Sequence, residues 1–228
     1  MKEQIKTGEH MKTTAFELVI FDMDGTLLNS MDCLTDWLYR VVKAHCSPSV
    51  TPADLIAAFG PTEEKIIAQF VPGELAKSCL DTYYDLCERE HERVQIYPGI
   101  NKLLKELQKQ DILMALFTGK SRRAAEISLD RLGWRSLFRI SITGDDIIRF
   151  KPDPEGVNLI LERTRAAGKR TIFIGDSDAD MAAARSAGII GGRAEWGGSG
   201  LLSAVTVHSD HQFATPQAVI ELLLGKPA

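Results

Sequence analysis

At 228 residues, 44% of them hydrophobic, the chain is long enough to bury a full core, either as one large domain or as a core with a smaller insert. Its 27 Lys and Arg against 31 Asp and Glu give a net charge of −4. With no basic stripe and no aromatic interleaving, nucleic acid is not expected as a main partner. No apolar run approaches the roughly 20 residues that cross a bilayer, so no membrane partner is expected either.

The opening segment MKEQIKTGEHMKTT mixes charges of both signs without an apolar stretch, which reads as a frayed tail rather than a signal peptide. The first structured stretch is VIFDMDGTLL, Val19 to Leu28, an apolar strand that ends in two carboxylates, Asp22 and Asp24. Two acids where a sheet edge meets solvent need something to balance their charge.

Residues 30–94 then read as helices: DCLTDWLYRVVKAH, PADLIAAFG, TEEKIIAQF and ELAKSCLDTYYDLCERE, with no strand pattern among them. Such an insert is too long for a loop and is expected to form a small helical cap that returns to the sheet near Tyr97-Pro98-Gly99. The boundaries this gives are 1–29 and 95–228 for the core and 30–94 for the cap. Cys33, Cys46, Cys79 and Cys87 have no CxxC pairing and no histidines at ligand spacing. They read as small apolar fillers on helices, as suits a reducing cytoplasm.

From Gly99 onward, helices and strands alternate: INKLLKELQKQ as helix, ILMALFTG as strand, RRAAEISLDRLG as a helix stopped by Gly133, LFRISITGDD as strand, PEGVNLILERTRAAG as helix and RTIFIGDSD as strand. Apolar strands joined by helical crossovers build an α/β fold, a Rossmann-like parallel sheet with helices on both faces. Ligands in such sheets sit beyond the carboxyl ends of the strands. Asp22 and Asp24, Thr118 and Asp176 all fall there and are expected to share one crevice.

Taken in order, DMDGTLL, FTGK, KPDPEG and GDSDADMAAARSAG resemble the four motifs of the haloacid dehalogenase superfamily, specifically its phosphatases. The helical insert resembles the cap of the phosphoglycolate phosphatase group. The resemblance implies that Asp22 attacks phosphorus to form an aspartyl-phosphate, while Asp24 protonates the leaving alcohol and then activates water. It implies Mg2+ held by the Asp22 side chain, the Asp24 backbone carbonyl and Asp176, with Asp180 behind these ligands. Chemistry asks for a hard divalent cation with oxygen ligands too, since carboxylates alone repel a phosphate ester, and Mg2+ is the natural choice. Thr118 and Gly119 would donate to the phosphate oxygens, and Lys151 would add a point charge. Many relatives carry Asn where this chain has Gly119. Asp24 also separates subclasses, because the dehalogenases and phosphonatases of the superfamily lack an acid there.

Asp178 has no assigned role and reads as solvated. Trp196 reads as packing against a loop, and His45, His91, His208 and His211 as surface residues. In FGPTEEK, Thr62 and Lys65 are candidate substrate contacts; the alternative is a helix-start turn with Thr62 as N-cap. The expected function is a cytoplasmic, Mg2+-dependent phosphatase acting on a small phosphorylated metabolite, with phosphoglycolate the first candidate. A β-phosphoglucomutase-like phosphotransferase is the alternative, and a phosphate-binding module without turnover a minor one.

Overall fold

The structure is a computed structural model in which residues 15–45, 50–197 and 206–225 are described. The N-terminal segment, Cys46 and most of the Gly-rich run after Trp196 lie outside the described residues. In chain order the elements are β1 (Leu18–Phe21), β2 (Leu28–Asn29), α1 (Met31–Lys43), α2 (Pro52–Ala57), α3 (Glu63–Phe70), α4 (Gly73–Arg89) and β3 (Gln95–Ile96). They continue with α5 (Ile100–Lys109), β4 (Leu113–Phe117), α6 (Arg122–Arg131), β5 (Ile140–Ile142), α7 (Glu155–Thr164) and β6 (Thr171–Gly175). The last are α8 (Asp178–Ser186), β7 (Ile190–Ala194), β8 (His211–Phe213) and α9 (Pro216–Leu224).

Six strands form one parallel sheet in the order β5-β4-β1-β6-β7-β8. The strand that carries the two acids is central: Ile20 of β1 lies level with Ala115 of β4 on one side and Phe173 of β6 on the other. Successive side chains of β1 enter opposite layers, as the two-residue pleat requires. Val19 and Phe21 pack with residues of α5, α6 and α9, whereas Leu18 and Ile20 pack with Val157 and Ile160 of α7 and Ala183 of α8. Helices therefore cover both faces.

The insert is helical throughout its described part, α1 to α4, and no helix among the described residues is long and apolar enough to cross a membrane. Leu38, Leu55, Ile66, Ile67 and Cys79 fill its interior, with Trp37 set edge-on to Tyr83. Cys33, Cys79 and Cys87 are buried on α1 and α4, in keeping with the filler reading.

Where the chain leaves and re-enters the core, β2 and β3 pair antiparallel, Leu28 with Ile96 and Asn29 with Gln95. Two residues per strand carry no readable alternation, so this ribbon leaves no pattern in the sequence. The strand expected over LFRISITGDD shrinks to β5; Gly144–Asp146 forms a single 3-10 turn held by Thr143 and Asp146 in a reciprocal cap. Helix α7 stops at Thr164 because Arg165 turns left-handed, φ 58°, short of the Gly168 to which the helical reading extends.

Candidate active site

Four segments bring charge to the carboxyl ends of β1, β4 and β6. Asp22 continues β1, its N–H donating to the Ile174 carbonyl at 2.9 Å, and its side chain is buried. Lys151 arrives from the loop before α7 and donates to Asp22 Oδ1 and to Asp180 Oδ1, both at 2.7 Å, and to the Phe117 carbonyl at 3.3 Å. The Phe117 and Phe173 rings flank its ammonium at 5.1 and 5.5 Å. Burial alone would lower the Lys151 pKa, but Asp180 and Asp22 together raise it, so it stays charged.

Asp176 follows β6 and accepts from the Thr26 hydroxyl at 3.0 Å. That approach depends on Gly25, at φ 84°, because a Cβ there would collide with the Asp176 carboxylate. Oxygen atoms of Asp22, Asp176 and Asp180 lie within 4.8 Å of one another. Burial is the largest cause that pushes Asp22 well above the ordinary carboxylate range; Asp180 and Asp176 add to it against the pull of Lys151. Burial and the Asp180 charge likewise lift Asp176 to about 6.

Three crowded carboxylates around one ammonium leave negative charge unbalanced, and all the donors are hard oxygens. These residues fit a divalent cation. Asp180 Oδ2 already receives the Ser177 N–H and hydroxyl, at 3.0 and 2.6 Å, while its Oδ1 receives Lys151.

Asp24 has separate partners. The Ser30 hydroxyl donates to its Oδ1 at 2.5 Å, and Lys120 Nζ lies 3.2 Å from Oδ2. Lys120 is buried; burial opposes its charge, but Asp24 and then Glu63 raise its pKa above the ordinary value. Nothing in FTGK itself marks Lys120 for this role, since its partner lies far back along the chain. Thr118 is buried at the end of β4, its N–H on the Ile142 carbonyl, and Gly119 follows it.

The remaining candidates divide. Thr62 is buried at the start of α3 and occupies the N-cap position, yet its side chain makes no cap bond. Lys65 is exposed and stacks over the Phe150 ring at 4.3 Å. Trp196 does pack on a loop: its indole N–H donates to the Thr26 carbonyl at 2.8 Å, over the turn that presents Asp176's partner.

Two expectations need correction. Asp178 is not simply solvated: it accepts from Arg193 Nη2 at 2.6 Å and from the Thr206 N–H and hydroxyl at 2.9 and 2.6 Å. Arg193, buried on β7, also donates to the Asp176 carbonyl at 3.0 Å, so this pair braces the loop that carries Asp176. His91 is buried rather than exposed, its Nε2 3.2 Å from Ser128 Oγ in the seam between α4 and α6, while His45 and His208 are exposed.

Comparison with known proteins points the same way. A protein named phosphoglycolate phosphatase from Pseudomonas putida is 31% identical over 184 residues, 75% of this chain and 66% of its own length. One of the same name from Vibrio cholerae is 28% identical over 187 residues, covering 76% of this chain and 82% of its own. The chain thus spans about two thirds of the length of the first of these relatives. The crystal structure of a putative phosphoglycolate phosphatase from Lactobacillus plantarum is 25% identical and superposes with a TM-score of 0.74, covering 91% of this chain and 99% of that one. Residues 19–190, from the first acidic strand to the start of β7, match the profile of the haloacid dehalogenase-like hydrolases, and the chain belongs to that family.

Proposed function

We propose that the chain is a Mg2+-dependent phosphatase that hydrolyses a small phosphorylated metabolite, phosphoglycolate first among candidates, with residues 30–94 as a cap over a core of 1–29 and 95–228. The observation that carries this reading is the division between the two acids: Asp22 is buried on Lys151 among the carboxylates, and Asp24 stands apart on Ser30 and Lys120.

Mg2+ held by the Asp22 side chain, the Asp24 backbone carbonyl and Asp176 would supply charge neutralisation for the phosphate. Asp180, both of its oxygens engaged by protein donors, acts behind them by holding Lys151. A carboxylate oxygen of Asp22 attacks phosphorus, and the bond to the leaving oxygen breaks as Asp24 gives that oxygen its proton. Asp24, now a carboxylate, takes a proton from a water that attacks the phosphorus. Inorganic phosphate leaves and the Asp22 carboxylate is regenerated. Lys151, the Thr118 hydroxyl and the Gly119 N–H hold the phosphate oxygens through both halves. Thr62 and Lys65 remain candidate substrate contacts on the cap side.

Phosphoglycolate comes from the names borne by the curated relatives. A panel of phosphate esters assayed for phosphate release, with and without Mg2+, tests both levels. Mg2+-dependent release with phosphoglycolate preferred supports the reading. Interconversion of sugar phosphates without release would replace it by the mutase, and turnover of nothing on the panel would leave a binding module.

A further inference from the structure

Glycine at position 119 has a physical reason, and it lies on the cap side of the crevice. A Cβ at Gly119 would stand 2.6 Å from the carbonyl oxygen of Gly60, the last residue before the Pro61-Thr62-Glu63 turn. Gly60 holds φ 135°, which only glycine adopts without strain. One step further, a Cβ at Gly144 would stand 2.5 Å from both the Gly119 carbonyl oxygen and Thr62 Cγ2. The cap turn is therefore seated directly on the loop after β4, backbone against backbone.

Glu63 makes the polar bond of this seat. It is 5% exposed, and its Oε2 accepts the Ser121 N–H at 2.8 Å. The Tyr83 hydroxyl reaches its Oε1 at 3.5 Å, and the Tyr84 hydroxyl donates to Ser121 Oγ at 3.0 Å. Ser121 in turn caps α6, its Oγ accepting from the Ala124 N–H at 3.3 Å. The carboxylate thus sits at the positive end of α6 and takes one of the N–H groups that a helix start leaves unpaired. Only Thr118, Gly119 and Lys120 separate β4 from Ser121, so fixing Ser121 leaves the loop little freedom.

We propose that Glu63 is a positioning residue for the phosphate-binding loop: reaching across from the cap, its carboxylate fixes the Ser121 amide and so aims Thr118 and Gly119, and Gly119 is glycine so that the cap turn can seat there. This rests on the reading of Thr118 and Gly119 as phosphate donors given above.

The test uses the full chain with Glu63→Ala, Glu63→Gln and Gly119→Asn. Its readouts are aryl-phosphate kinetics at saturating Mg2+, inorganic-phosphate binding by calorimetry, and hydrogen exchange at the Ser121 amide. Glu63→Ala should raise KM and weaken phosphate binding by about tenfold with kcat changed far less, and Ser121 should lose protection. Glu63→Gln, whose carbonyl still accepts the amide, should restore most of both. Gly119→Asn should weaken phosphate binding, because its Cβ would push against the Gly60 carbonyl oxygen. Should Glu63→Ala fail to fold, Glu63→Asp, one methylene short of the amide, carries the same expectation. Unchanged phosphate affinity and Ser121 protection in Glu63→Ala would overturn the assignment, as would a Gly119→Asn protein that binds phosphate as well as the parent. If the parent turned over no phosphate ester, the phosphatase reading would fail on its own, and phosphate binding and Ser121 exchange would still decide the role of Glu63.

Discussion

The floor and the roof of the crevice handle charge in opposite ways. On the floor, Asp22, Asp176 and Asp180 crowd one another around Lys151, and burial works against the ionisation of Asp22 and Asp176. On the roof, Arg40, Asp36, Glu90 and Arg93 form a network at the cap surface, each pair within 3.5 Å and wet. Exposed pairs of that kind fix shape at small energetic weight. Buried carboxylates that outnumber their cations are tolerated because a ligand or metal completes them. The chemistry proposed above therefore draws on the floor.

Substitution on the floor should dominate. Asp22→Asn should abolish steady-state hydrolysis, a loss on the order of 10^4-fold or more, because an amide is too poor a nucleophile to accept the phosphoryl group. The same change should raise the metal-free Tm, since one crowded carboxylate becomes neutral while Lys151 keeps Asp180. A Tm that fell instead would break the contrast between floor and roof.

Next in size comes the loop after β6. Asp176→Ala should weaken Mg2+ activation by more than the roughly 10- to 100-fold that removing a group behind the ligands costs. Asp178→Ala should act less on the metal but destabilise the fold by about 1–3 kcal/mol, because it strips the buried Arg193 of its carboxylate. Metal titrations and thermal melts of the two variants separate these effects. Equal losses of Mg2+ affinity would show that bracing matters as much as ligation.

The smallest effect is expected on the roof. Glu90→Gln should cost less than about 1 kcal/mol at neutral pH. Hydrogen bonds from Arg93 and then Arg40 hold the Glu90 carboxyl at about 2, below its ordinary 4.5. A depressed acid stabilises the fold above its unfolded pKa and loses that contribution as pH falls through the folded one. The Tm gap between wild type and Glu90→Gln should thus be constant near pH 7 and close between about 4.5 and 2.

The same contrast explains what the sequence could show. Asp22, Thr118 and Asp176 each follow an apolar run directly, with Asp24 two residues beyond Asp22, so strand pattern and chemistry coincide along the chain, and the parallel sheet is legible for the same reason. The residues that escaped depend on distant partners. Lys120 meets Asp24, Arg193 meets Asp178, and Glu63 meets Ser121 only after folding, and nothing in the local pattern around them announces the partner. Strand β7 was hidden by its own packing: Gly191 and Gly192 dilute the apolar run, yet a Cβ at Gly192 would stand 2.7 Å from the Phe213 ring on β8. His91 sits on a turn rich in charge and looks solvated until α6 covers it.

The division of labour between the two acids is tested most directly by mass spectrometry of Asp24→Asn mixed with an aryl phosphate and Mg2+ and quenched rapidly in acid. An aryl leaving group departs with little protonation, so the variant should load Asp22 and then stall for want of a group to activate water. The peptide containing Asp22 should carry one added phosphoryl group, and no such adduct should form in Asp22→Asn. Unimpaired turnover in Asp24→Asn, or a covalent phosphate that persists in Asp22→Asn, would contradict the account.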